Sequence, residues 1–450
     1  MIRTTTLANG ARVVTESMPH TRSVSTGFWV DVGARDEAPQ LAGVSHFLEH
    51  LLFKGSDTRS ASEIAEAVEA VGGEMNAFTT HEYTAYHTRL PAAELALSLE
   101  LLGDVFTRPA FRSHEVEAER QVILEELLME EDCHEDRVLT LLGAAMFPGH
   151  PLGAEVLGTR TSIDAMERDE IAAFHATWYR PANLVVGAAG ALHHDEVVAA
   201  VERHLAGADA GSAPVRLPPA APAGSLAVVT QRTEQAHVAV GMRALDRHDE
   251  DRYALAVANQ VLGGGTSSRL FRTVREERGL AYSVFSYVAS YADTGALVAA
   301  AATAPSRLAE VLGLLHSELD RLIDGGVSES ELRVAKGYIE GSTLLALEDS
   351  GSCMSRVATS LLLHGEVPDL AAVLERYRSV TAADVGRVLQ RVVMSGDRSV
   401  AVLGPLRRAQ VESIVADGAG ARRGARLPVR PTVGGAPVRG RGEYQPDLAA

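Results

Sequence analysis

Short apolar runs at strand spacing give way, twice along the chain, to apolar positions at helical spacing. Near the start, Arg12-Val13-Val14-Thr15 and Phe28-Trp29-Val30-Asp31-Val32 carry the β-branched and aromatic residues of strands. From Leu41 to Phe53, the positions Leu41, Val44, Leu48, Leu51 and Leu52 fall on one stripe when residues are set 100° apart, which predicts a helix. A second helix is expected from a Ser60 or Ser62 cap to the Gly72-Gly73 stop, with paired strands from Glu74 to Leu90 after it.

The same order returns further on. Leu226 to Val229 and His237 to Val240 read as strands, Tyr253 to Leu262 as a helix, and a Ser267 or Ser268 cap opens a helix that stops at Gly279. Strands from Tyr282 to Tyr291 and from Leu297 to Ala302 complete the repeat. The predicted fold class is α+β, two duplicated domains, each an antiparallel or mixed sheet flanked by helices. Residues 206–225 are small and Pro-rich and read as a linker. The expected division is therefore a domain at 1–205, the linker, a homologous domain at 226–416, and a Gly/Pro/Arg segment at 417–450 read as a flexible basic tail. A length of 450 residues suits two cores better than one.

Composition narrows the class without choosing a function. Hydrophobic residues at 46% and charged residues at 22% give the balance of a folded, soluble protein. A formal net charge of −17 argues against general nucleic-acid binding, which needs a basic footprint. No apolar run is long enough to span a bilayer, and Met1 to Thr6 lack the apolar core of a secretory signal. Cys133 and Cys353 stand far apart, so no disulfide framework is expected and the predicted compartment is a reducing cytoplasm.

Candidate chemistry lies in the first predicted long helix. His46-Phe47-Leu48-Glu49-His50 puts His46, Glu49 and His50 opposite the apolar stripe. Two imidazoles one turn apart can hold one metal ion, and the glutamate between them can take a proton from a water. The same residues would also suit a solvated helix face; a metal site differs in requiring a third protein ligand. Glu115 to Leu128 supplies candidates, with Val116, Ile123, Leu124, Leu127 and Leu128 forming a helical stripe. Glu119 and Glu126, seven residues apart, project from nearly one face, while Glu125 points about 100° away. Spacing does not choose among Glu119, Glu126 and Glu130, and His81 or His87 on the paired strands are rival third ligands.

With these segments in hand, the chain resembles the inverzincin zinc peptidases of the pitrilysin and mitochondrial processing peptidase type. His46 to Gly55 resembles their metal helix and Glu119 to Glu126 their second metal segment. The resemblance implies one zinc ion per chain held by His46, His50 and Glu126, with Glu119 in support and Glu49 as general base. It implies that Gly73 to Thr79 is an edge strand on which Asn76, Ala77 and Phe78 bind the substrate backbone. Arg269 to Ser283 resembles a substrate-clamping segment, with Arg275 as an anchor and Tyr282 as an oxyanion donor. The second half, lacking the pentad, would face the first around a chamber. Peptides or unfolded segments are the implied substrates, and a homodimer or a heterodimer with a related subunit the implied assembly. The alternative within this family is a non-catalytic core subunit; histidine and carboxylate ligands would also suit manganese or cobalt.

Overall fold

The computed structural model describes residues 1–220, 224–393 and 398–420. Eleven strands occur among them: β1 (Ile2–Thr6), β2 (Arg12–Ser17), β3 (Ser23–Val30), β4 (Glu74–Thr79), β5 (Thr84–Pro91), β6 (Leu184–Gly190), β7 (Leu226–Thr230), β8 (Ala236–Ala244), β9 (Ala281–Ser290), β10 (Gly295–Thr303) and β11 (Ser399–Gly404). They form two sheets, ordered β1-β2-β6-β3-β5-β4 and β7-β11-β8-β10-β9. In each, one parallel pair, β2 with β6 and β7 with β11, is followed by antiparallel neighbours. Setting β2-β6-β3-β5-β4 against β7-β11-β8-β10-β9 matches every position and direction, so the two sheets are copies of one plan, with β1 added to the first. The fold is α+β with two sheets flanked by helices.

β6 and β11 were not expected from the sequence. Both are central strands buried along their whole length. A strand covered on both faces loses the polar alternation that marks a half-exposed strand. What covers them explains this. One layer of helices from the same half packs on one face of each sheet. The other face is covered by a helix from the opposite half. Helix His134–Met146 lays Val138, Leu142 and Met146 on Ala239, Val298, Ala300 and Ala401 of the second sheet. Helix Ser350–His364 lays Met354, Val357, Ala358 and Leu361 on Val14, Trp29, Ala85 and Val185 of the first. Glycines permit both approaches: a Cβ on Gly187 would meet Ala358 Cβ at 2.6 Å, and one on Gly241 would clash with Met146 Sδ. A cut at 206–225 separates the strands into two sets but divides each sheet from one of its two covering layers.

Ion pairs close the seam between the halves. The buried Glu82 carboxylate meets Arg35 Nη1 at 2.5 Å, pairs with Arg247 and accepts from Ala292 N. Arg35 Nη2 reaches on to Asp293 Oδ2 at 2.6 Å. Arg216, within the predicted linker, is tied to Asp31 at 2.9 Å and to Asp36 at 2.8 Å.

Three local expectations change. The pentad helix runs Val44–Leu52 rather than from Leu41, because Gly43 takes φ +92 where its backbone crosses Leu157 O and Gly158. The helix expected after Ser268 is a π-helical turn, Phe271–Glu276, ended by Gly279 at φ +59. Residues 417–420 close the helix Arg408–Gly420, and the rest of the segment expected as a basic tail at 417–450 lies outside the described residues. No helix among the described residues is long and apolar enough to cross a membrane.

Candidate metal centre

The pentad helix is fixed from both sides before its chemistry begins. Val44, Phe47, Leu48, Leu51 and Leu52 are buried in the first core, which turns the other face outward. Its first N–H groups would be orphaned by the break at Gly43. Glu37 satisfies them, accepting from Gly43 N at 2.7 Å and from Ser45 N at 2.8 Å. Burial pushes the Glu37 carboxyl up to about 8, against the opposing pull of those hydrogen bonds. The acidic helix Ser113–Asp132 packs alongside through Val116, Ile123 and Leu124, which sets the height at which its glutamates meet the histidines.

At that junction His46 Nε2 stands 3.6 Å and His50 Nε2 3.4 Å from Glu126 Oε2. The three donor atoms lie within 4.8 Å of one another, and no second group of three His, Cys, Asp or Glu donors is that close among the described residues. These separations are long for hydrogen bonds. They match instead the edge of a tetrahedron whose centre lies 2.0–2.1 Å from each donor, an edge of about 3.4 Å. Two imidazoles and a carboxylate are also the donor chemistry that zinc accepts. His50 is held from its other nitrogen: Nδ1 lies 3.1 Å from Glu119 Oε2, and Lys54 Nζ binds the other Glu119 oxygen at 2.7 Å. A carboxylate behind a ligating imidazole fixes its ring and tautomer.

Electrostatics act differently on the donors: burial alone would lower the His50 imidazole, but Glu126, Glu119 and Glu49 outweigh it and hold it above its usual range. Burial pushes the His46 imidazole down to about 4, with His50 adding to the effect and Glu126 opposing it. It is therefore neutral at pH 7, the form that ligates a cation. Burial alone would raise the Glu126 carboxyl, but the nearby His50 and the charge of His46 outweigh it and hold Glu126 below its usual range. Glu49 goes the other way. Burial raises its carboxyl, only partly countered by the Thr79 hydroxyl, which donates to Oε2 at 2.7 Å. Two carboxyl groups on neighbouring helices are thus driven apart, one kept anionic and one made more basic, the division of labour that acid–base chemistry uses.

Thr79 is the last residue of β4, so the outer strand of the first sheet ends against Glu49. The far edge of β4 has no partner strand among the described residues. Asn76, Ala77 and Phe78 lie on it, with Asn76 Oδ1 accepting from Ala77 N at 2.8 Å. The rival third ligands are elsewhere. His81 Nε2 meets Ala154 O at 3.2 Å, and His87 lines a cavity with Gly351 and Met354 on the opposite face of the sheet. Glu130 is pushed up to about 7, first by burial and then by Glu155 and Asp136, and does not join the donor group. Arg275 and Tyr282 are brought to each other: Arg275 lies 4.2 Å over the Tyr282 ring and donates to its carbonyl at 3.0 Å. Tyr282 is 77% exposed, and among the described residues no hydrogen bond or ion pair joins either residue to the metal group. Glu37, Lys54 and Thr79 received no role from the sequence; each acts across a distance that no local spacing rule covers.

The fold and the site together define a duplicated α+β protein with a His-His-Glu donor group beside a raised carboxyl. Residues 12–160 match the family profile Insulinase (Peptidase family M16), and residues 165–338 match Peptidase M16 inactive domain. An uncharacterized zinc protease of Streptomyces coelicolor is 44% identical over 92% of both chains. One of Mycobacterium tuberculosis is 44% identical over 90% of this chain and 93% of its own, and one of Bacillus subtilis 36% over 90% and 98%. The chain belongs to the M16 peptidase family. Among solved structures, a protease from Helicobacter pylori shares the fold at TM-score 0.83 and 24% identity, over 90% of this chain and 100% of its own. A Pseudomonas fluorescens protein described as a peptidase M16 inactive domain does so at TM-score 0.84 and 20% identity, over 90% and 98%.

Proposed function

We propose that the chain is a zinc-dependent endopeptidase that hydrolyses extended or unfolded peptide segments, one zinc ion per chain being held by His46, His50 and Glu126. The observation that carries this reading is the placement of Glu49 between the donor group and the free edge of β4, tied to that edge through Thr79. Bound there, zinc would acidify a water and polarise the scissile carbonyl. Glu49 would accept a proton from the attacking water and deliver it to the leaving amine, a task for which its raised pKa is suited. Glu119 and Lys54 keep the His50 ring in one orientation. The substrate backbone pairs with the edge at Asn76, Ala77 and Phe78, which reads main chain rather than sequence. Tyr282 donates to the developing oxyanion and Arg275 anchors the substrate from the second half.

The test is Glu49→Gln, assayed for bound zinc and for cleavage of a mixed set of unfolded peptides. Metal retained with cleavage reduced by at least about 10²–10⁴-fold is the expected outcome. Unchanged cleavage would remove Glu49 from the mechanism. A wild-type protein that takes up no zinc would point to a non-catalytic core subunit.

A further inference from the structure

Alternation along β4 splits its free edge into two sides. Met75 and Ala77 face the first core under the pentad helix, and Thr79 reaches Glu49. Glu74 and Asn76 therefore face the other way, beside His87 and Arg89 of β5. On that face lies a cavity of about 450 Å³, lined among others by Ser25, Glu74, Asn76, His87, Gly351 and Met354. Its far wall is the first turn of the crossed helix Ser350–His364, so both halves of the chain build it. It stays open because Ser25 and Gly351 put little or no side chain into it.

Its charge is unbalanced. Glu74 stands directly opposite Arg89 in the β4–β5 register, where a cross-strand ion pair would normally form. Arg89 instead turns to Asp349 Oδ1 at 3.0 Å, while the other Asp349 oxygen accepts from Ser352 N and caps the helix. The Glu74 carboxylate has no hydrogen-bond or ion-pair partner among the described residues. Burial holds the His87 imidazole below its usual range, against the pull of Glu74, so it adds no positive charge at pH 7.

We propose that this cavity is a side-chain subsite for a lysine or arginine of a peptide laid along β4. Residues directly opposite in neighbouring strands send their side chains to the same face. Peptide residues opposite Asn76 and Glu74 therefore enter the cavity, while those opposite Ala77 and Thr79 face the metal helix. Asn76 and Glu74 are three and five positions from Thr79, about 10 and 17 Å at 3.3 Å per residue. The subsite thus reads a residue three or five positions from the bond held at Glu49. A long basic side chain suits it, since its aliphatic stem can lie along Met354 while the cation meets Glu74. The inference rests on the reading above that peptides dock on the β4 edge.

The experiment separates the two. In a set of peptides sharing one cleavable bond, lysine, leucine or glutamate is placed three or five residues to either side. Binding of each to the Glu49→Gln variant is read by fluorescence anisotropy, and kcat/KM is measured on the wild-type protein. Lysine should be preferred over leucine by about fivefold at one of these positions, the worth of a half-exposed ion pair. Glu74→Gln should erase that preference and Glu74→Lys should transfer it to glutamate. Equal binding of all peptides, or a lysine preference that survives Glu74→Lys, overturns the subsite. Discrimination in binding with no cleavage of any peptide by the wild type would instead sink the peptidase reading and leave the subsite standing.

Discussion

The two halves carry one scaffold and unequal chemistry. After the third strand of the shared order, the first half places helix Val44–Leu52 and the second places helix Arg252–Leu262. Both bury an apolar stripe in the core of their own half. In the first, the opposite face presents His46, Glu49 and His50 to the acidic helix. In the second, the polar residue Asn259 is used up locally, accepting from Ser286 Oγ at 2.7 Å. The helix Glu329–Ala346, the second α-helix after β10 as the acidic helix is the second after β5, exposes Val334, Tyr338 and Leu345 rather than a ligand pair. Scaffold and site are therefore separable: packing repeats what the sheet order demands, and a few polar side chains on two helices make one copy a candidate metal centre.

The sharpest way to break that difference is to remove Glu126, the carboxylate that meets both imidazoles. In Glu126→Gln, zinc affinity should fall by more than the roughly 10–100-fold that loss of a supporting partner causes, and peptide cleavage should fall with it. Metal titration against a competing chelator reads the first. An unchanged affinity would mean that the third ligand lies elsewhere.

A second variant tests what the halves share. Glu82 is buried between Arg35 of the first half and Arg247 of the second. Glu82→Gln leaves both guanidinium groups without their common anion, a loss of about 3–5 kcal/mol where a buried pair is broken from one side. Calorimetry should show a lower Tm and the single transition separating into two as the sheets lose their tie. A melting curve identical to wild type would place the coupling in the crossed helices instead. Glu119→Gln is expected to have a smaller effect. The His50 ring keeps its place on the helix, but its Nδ1 partner becomes a neutral amide and the ion pair with Lys54 behind it is lost. Zinc affinity should drop about 10–100-fold while thermal stability without metal changes little.

These contrasts also show where sequence reading reaches its limit. Periodicity found the pentad helix and its outward face because both are properties of one segment. It could not choose among Glu119, Glu126 and Glu130, since the choice depends on how far one helix is slid along another. That offset is set by the packing of Val116, Ile123 and Leu124 against the first core. The result puts Glu126 between two rings, Glu119 behind one of them, and Glu130 against Glu155 and Asp136. The exchange of helices His134–Met146 and Ser350–His364 was invisible for a related reason. Each shows an apolar stripe that any sheet face could cover, and only the glycines at 187 and 241 single out the faces that are used. The repeat of strands was legible because turn residues and strand runs recur in order; β6 and β11 escaped because full burial erases alternation.

The last effect expected is a pH dependence of stability to which buried histidines outside the donor group contribute from both halves. His175 in the first half is buried beside Phe106, with Nε2 at 3.0 Å from Phe106 O. Burial pushes it down to about 4, with the Phe106 carbonyl opposing. His237, under the crossed helix at the second sheet, is also pushed down to about 4 by burial and by His134. Each has a folded pKa below that of the unfolded chain, about 6.5. Between the two values the unfolded chain binds the proton and the folded one does not, so stability rises with pH. The contribution is complete above about pH 6.5 and is lost as the pH falls toward 4, with a limiting slope of about 1.4 kcal/mol per pH unit for each histidine. His175→Gln keeps a donor for Phe106 O and removes the titration. Urea unfolding followed from pH 7 to pH 5 should then show a slope shallower by about one proton. An unchanged slope would mean that His175 is protonated in the folded protein, with its ring reached by water.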